Sequence, residues 1–334
     1  MGKYLLSAIL ILTILVLVVS PVGYAAINPA KIKVLILEDS RPTIPDRDEK
    51  LVKLGNMQGD LLMTGIHYSG NIEVWKGDKG LYIVNELPLE DYVESVVVAE
   101  VGTNWDIEAL KAQAVITRTY AIYRKAMSQD SRFHLTSSVL HQVYKGNNSH
   151  ILISYAVRET AGEVLTYHGK PIEALYHSTS GGRTENAEEV FGKSYPYLKS
   201  VESNCEISPY WIWEKKIPKE EIEKALGIKN LKDITVASRT STGRAKELSV
   251  GLESGQMPIK ATELRKLLGW SRLPSTNFSI HSDETTIVFE GKGYGHGVGL
   301  CQWSALQMAR DGKSYREILS FFYPGTEIVL HEGD

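Results

Sequence analysis

The chain has 334 residues, 43 % of them hydrophobic, and a formal net charge of −3 with both signs mixed along its length. That is enough apolar sequence for one large core or two modest ones. Aromatic residues are not interleaved with basic runs, which argues against a nucleic-acid binder; the 17 tyrosines and 6 tryptophans offer flat faces that suit sugars as well as cores.

The N-terminus reads as an export segment. Met1-Gly2-Lys3 gives a positive start, Tyr4 to Val19 is almost wholly apolar, and Gly23 and Ala25 fit cleavage after Ala25. The run is long for a signal peptide and short for a spanning helix, so residues 1–25 are a cleaved leader or a retained anchor. Either places the remainder beyond the cytoplasmic membrane: periplasmic, cell-wall associated or membrane-anchored, with the inner membrane a partner only if the segment stays.

A β-rich region at about 30–84 follows. Lys31–Leu37, Leu61–Tyr68, Ile72–Trp75 and Leu81–Val84 read as strands punctuated by glycines. Leu89 to Ala99 reads as a helix with Pro88 at its start. Asp106 is a fitting N-cap for a second helix, Ile107 to Met127, with Ala109, Leu110, Ala112, Ala114, Val115, Ala121 and Ile122 at helical spacing. Ser149–Thr160 is a third helix. Val164–Tyr167 and Ile172–His177 form a hairpin around His168-Gly169-Lys170-Pro171. Beyond the polar loop 178–186, a second β-containing lobe spans about 205–290: helices Pro218–Leu226 and Thr262–Leu268, strands Ile234–Ala237, Ala245–Leu252 and Asn277–His281. A glycine run opens a last helix, Gln302 to Asp311. The fold class is α+β, with residues 85–334 as one core unit carrying the second lobe.

Three motifs carry chemistry or exclude it. Glu100 ends an apolar helix and faces the turn Gly102-Thr103-Asn104-Trp105-Asp106. Partial burial there raises a carboxyl's pKa and suits it to donate a proton. The run Gly293-Tyr294-Gly295-His296-Gly297-Val298-Gly299 lacks the Lys and Ser/Thr of a phosphate loop and the dinucleotide spacing, so no nucleotide cofactor is expected. It sets His296 at the mouth of a helix, to orient an acid, bind a sugar hydroxyl or simply bond the loop backbone. Ser178-Thr179-Ser180-Gly181-Gly182 lacks the spacing of a serine-hydrolase nucleophile. Cys205 and Cys301 can form one disulfide in an oxidising compartment or stand as buried thiols.

Nine ordered blocks resemble one family: Leu87-Pro88-Leu89-Glu90-Asp91-Tyr92-Val93, Val98-Ala99-Glu100, Glu108 to Val115, Arg118-Thr119-Tyr120-Ala121, Gln142-Val143-Tyr144-Lys145-Gly146, His177 to Gly182, Tyr195 to Val201, Gly295 to Trp303, and Phe322-Tyr323-Pro324-Gly325-Thr326. Together they span about residues 80–330 and look like the stage II sporulation protein D (SpoIID/LytB) family. The resemblance implies a peptidoglycan lytic transglycosylase acting on glycan strands, preferably stripped of stem peptides; a related member is described as an enhancer of a cell-wall amidase. It places the family's catalytic acid on Glu100 and matches Arg118, Tyr197, Lys199 and Tyr323 to positions tied to activity or the cleft. Within the same blocks Gln142, Tyr144, Ser178, Ser180, His296 and Gln302 are candidate substrate-binding residues. Arg118 lies five helical turns past Glu100 and is expected to face the same groove if the chain folds back. Some members bind zinc just before the Gln-Val-Tyr block; here His134 to His141 holds no cysteine, so no metal is expected. The expected partners are glycan strands and, in the enhancer reading, a cell-wall amidase.

Overall fold

The structure is a computed structural model that describes residues 30–36, 44–45, 49–128, 132–139 and 141–331. The expected export segment, residues 1–25, lies outside the described residues. The fold is α+β.

Four strands open it: β1 (Lys31–Ile36), β2 (Val52–Met63), β3 (Ile66–Gly77) and β4 (Gly80–Pro88). They form an antiparallel meander that β1 extends on the far side of β4, and a short parallel strand, β5 (Leu135–Thr136), completes the sheet in the order β2-β3-β4-β1-β5. The single strand expected at Leu61–Tyr68 is instead a hairpin. Thr64 and Gly65 both take positive φ, 51° and 80°, and reverse the chain between Met63 and Ile66. Thr-Gly is an uncommon dipeptide for that turn.

α1 (Leu89–Glu100) and α2 (Ile107–Met127) follow. Asp106 caps α2 by accepting the Glu108 amide at 3.0 Å. From Ala112 to Ile122 every residue of α2 is buried, polar ones included. A helix enclosed on all sides must satisfy its polar groups internally. Gln113 therefore pairs with Thr117 and Gln302, and Thr119 donates to the Val115 carbonyl while accepting the Leu165 amide.

α3 (Ile151–Glu159) packs on α1 and α2. The hairpin β6 (Glu163–Tyr167) and β7 (Lys170–Pro171) turns at His168-Gly169 as expected, but its second arm leaves the sheet after Pro171. Only β8 (Tyr176–His177) of the expected Ile172–His177 strand pairs again, and with a far segment. Short elements follow: β9 (Gly182–Arg183), α4 (Ala187–Phe191) and β10 (Glu202–Ser203).

A second hydrophobic core, built on Ile217, Ile222, Leu248, Leu264, Ile287 and Phe289, occupies the stretch after that. Its elements are β11 (Trp213–Pro218), α5 (Lys219–Leu226), β12 (Leu231–Arg239), β13 (Ala245–Leu252), β14 (Gly255–Lys260), α6 (Ala261–Leu268), β15 (Phe278–Ser282) and β16 (Thr286–Gly291). They make two antiparallel sheets, β11-β16-β15 and β12-β13-β14. Buried Arg244 pins this lobe to the main body by donating to the Ser180 and Arg183 carbonyls. The chain then returns through β17 (Leu300–Cys301), α7 (Gln302–Arg310), α8 (Tyr315–Phe322) and β18 (Glu327–Leu330). β17 pairs with β8 in parallel, and β18 extends the β6-β7 sheet.

Candidate functional site

Glu100 is the last residue of α1, and three other segments converge on it. The Val143 amide donates to its Oε1 at 2.8 Å. The Gln302 amide, at the first position of α7, and the Tyr176 phenol on β8 also face the carboxyl. Burial pushes the carboxyl above the ordinary carboxylate range; the Val143 amide, then Tyr176 and Gln302, pull it partway back. Among the described residues, no cation and no other carboxylate is a main influence on it. The residue keeps some exposure. It is thus a carboxyl biased to hold its proton yet open to a ligand.

The surroundings are polar and neutral. Gln142 is buried beside Tyr176, accepts the Tyr92 hydroxyl at 3.0 Å and donates to the Thr117 carbonyl. Gln302 is fixed by Gln113 at 3.3 Å. Half-buried Trp105, in the turn after Glu100, packs against half-buried Trp303, next to Gln302, with ring centroids 5.3 Å apart. His296 reaches the site through the backbone: its ring bonds the backbone of Tyr176, while its Nδ1 accepts the Val298 amide at 3.1 Å. Burial first, then the cations Arg265 and Arg244, push its pKa down to about 4, so it is neutral at ordinary pH and no proton donor.

Arg118 does not face the Glu100 carboxyl. It is fully buried and grips Glu90 with two bonds of 2.8 and 2.6 Å, and also donates to the Glu163 and Val157 carbonyls. Glu90 lies in the first turn of α1 and Glu100 at its end, about 15 Å apart at 1.5 Å per residue. Turn counting along α2 could not reveal this, because a helix buried on every side has no single face.

Comparison with known proteins bears on this geometry. The family model for "Stage II sporulation protein" matches residues 77–167, and a model described only as a domain of unknown function matches residues 198–299. Stage II sporulation protein D of Bacillus amyloliquefaciens is 35 % identical over 270 residues, covering 73 % of this chain and 75 % of that protein. The chain belongs to the SpoIID family. An uncharacterised protein of Brachyspira hyodysenteriae is 34 % identical over 282 residues, 81 % of this chain and 75 % of its own. The "Amidase enhancer" of Bacillus subtilis is 28 % identical over 290 residues, 72 % of this chain but 40 % of the enhancer.

The remaining SpoIID-block residues divide by location. Tyr144 is buried and donates to the Asn85 side chain, so it packs beneath the sheet instead of lining a cleft. Ser180 is fully buried. Ser178 is partly exposed, and its carbonyl accepts the Trp303 amide at 3.2 Å. Tyr197 stacks between Tyr195 and Tyr167 and its hydroxyl accepts the Glu173 amide. Tyr323 is fully buried; its hydroxyl donates to the Leu175 carbonyl at 2.7 Å and accepts the Leu300 amide, bracing β8 against β17. Lys199 is exposed on a polar groove of about 580 Å³ with Glu188, Glu189, Ser241 and Lys246; Phe191, one residue before that groove's Gly192, packs on His296.

Cys205 and Cys301 stand as two buried thiols, not as a bridge. They are in hydrogen-bonding contact, and both approach Ser180 at 3.2 Å. Among the described residues no three metal-ligating side chains come together. Tyr176 is the residue that sequence reasoning missed. It stood one position before a recognised block, inside what read as an ordinary hairpin arm.

Proposed function

We propose that this SpoIID-family chain is an exported lytic transglycosylase that cleaves MurNAc–GlcNAc linkages in denuded glycan strands, with Glu100 as acid and then base. The observation that carries the reading is the Glu100 carboxyl itself, part-buried, favouring its proton, and held by a single backbone amide among neutral donors. Glu100 gives its proton to the bridging oxygen as the C1–O4 bond breaks. The ring's own C6 hydroxyl then closes on C1, and the carboxylate takes that hydroxyl's proton. No water is consumed, a 1,6-anhydro end is left, and Glu100 is restored. One carboxyl suffices, unlike paired-acid hydrolysis. The Trp105–Trp303 pair supplies apolar faces for sugar rings, and Gln302 supplies an amide for their hydroxyl or acetamido groups.

The test is incubation of the purified chain with denuded glycan strands, read by mass spectrometry. Anhydro-ended fragments from the parent and none from Glu100→Gln support the reading. A second reading, a glycan-binding enhancer of a cell-wall amidase, is favoured by the amidase-enhancer relative. Glycan that binds without fragments, together with stimulation of an added amidase, selects it.

A further inference from the structure

The Tyr176 hydroxyl is buried and makes no hydrogen bond of ordinary geometry, although it faces both Glu100 and Gln142. A buried donor left unpaired is expensive and is seldom kept without a use. The backbone around it is held from three sides. Leu300 pairs with Tyr176 in the β8–β17 ladder, Tyr323 clamps the Leu175 carbonyl, and the His296 ring bonds the Tyr176 backbone. Gly299 lets β17 come this close: at φ +73° an added Cβ there would sit 1.9 Å from the Leu175 oxygen. A phenol with no settled hydrogen bond is therefore held by much well-satisfied structure beside the Glu100 carboxyl and the Gln142 amide.

We propose that Tyr176 is a positioning residue for Glu100, its phenolic O–H donating to the carboxylate once the proton has passed to the leaving oxygen and so holding the base for ring closure. This rests on Glu100 acting as acid and then base. The phenol keeps its own proton throughout, since burial and the nearby Glu100 and Tyr92 push its ionisation well up. Among the described residues, three groups face Glu100 besides Tyr176: Tyr92 from its own helix, the neutral Gln302 amide from α7, and the Val143 amide. Tyr176 is thus the adjustable donor. His296 and Tyr323 act on the reaction through its backbone, without touching substrate.

The test uses the full chain as parent, Tyr176→Phe, and a version with 3-fluorotyrosine at position 176, whose hydroxyl is a stronger donor in an unchanged shape. Glu100 is titrated directly by carbon NMR of labelled glutamate, with Glu100→Gln identifying its signal, and anhydro-product formation is followed against pH. In Tyr176→Phe the Glu100 midpoint is expected to rise, the alkaline limb of the rate profile to rise with it, and the maximal rate to fall on the order of tenfold, the equivalent of one pKa unit. The fluorinated chain is expected to shift the midpoint downward. Unmoved midpoints in both, or a rate loss equal at every pH, overturn the proposal. A parent that forms no anhydro ends removes the catalytic reading of Glu100, while the titration still decides whether the phenol serves its carboxylate.

Discussion

Replacing Arg118 by Met, and separately Glu90 by Met, probes the buried ion pair and the assignment of Arg118 at once. The two partners differ in exposure: the Arg118 side chain is fully buried, whereas Glu90 keeps 40 % of its side chain in water. Removing Glu90 strands a guanidinium in the core, which costs about 3–5 kcal/mol. Removing Arg118 leaves a carboxylate that water can reach and two carbonyls, of Glu163 and Val157, short of a donor. That costs less, about 1–3 kcal/mol. The double replacement puts two apolar side chains side by side and is expected to recover much of the larger loss. Urea unfolding of the parent, both single variants and the double closes the cycle. An Arg118→Met loss larger than the Glu90→Met loss refutes the burial argument. An Arg118→Met chain of parental stability that no longer cleaves glycan returns Arg118 to the cleft.

Four further outcomes are expected. The folded state prefers Glu100 protonated, so the parent loses stability as pH rises from the ordinary carboxylate range through the raised folded value; Glu100→Gln, which has no charge to bury, does not, and urea midpoints at pH 4 and 8 read the difference. Gly299→Ala forces positive φ on a residue with a Cβ against the Leu175 carbonyl, so melting should show a loss of at least about 1–3 kcal/mol and cleavage should fail with it. Trp303→Ala should weaken binding to denuded glycan roughly tenfold while circular dichroism is unchanged, the worth of one stacking face of about 1.4 kcal/mol. Because Cys301 hydrogen-bonds Cys205, whose thiol is pushed down to about 6, a disulfide-forming oxidant should remove two hydrogens from the chain's mass; a chain left untouched shows that burial blocks the exchange.

The helices were the most legible part of the fold. α1, α2 and α7 end within a residue of their sequence-read limits, because Pro88, Asp106 and the glycine run punctuate them. Strands whose register is set by distant partners were not legible. β11 and β16 pair with each other across the whole second lobe, and α8 depends on the Ser314–Glu317 capping box, which the sequence reading passed over. In the site, Glu100 could be found from its place at a helix end. Its neighbours Val143, Tyr176 and Gln302 come from three separate stretches of chain, and no local pattern ties them together. Arg118 shows the converse: its match to a family position pointed to the cleft, whereas its charge answers Glu90, twenty-eight residues earlier in the chain.

The parallel pairing of Tyr176 with Leu300 has a bearing on the order of events as the chain is made. Between those two residues lies the entire second lobe, with a core of its own. The acid is synthesised early, but the strand that aims its phenol and the amide that faces it arrive near the end of the chain. A partly made polypeptide therefore carries Glu100 without its finished surroundings, and the site is complete only when the last helices dock.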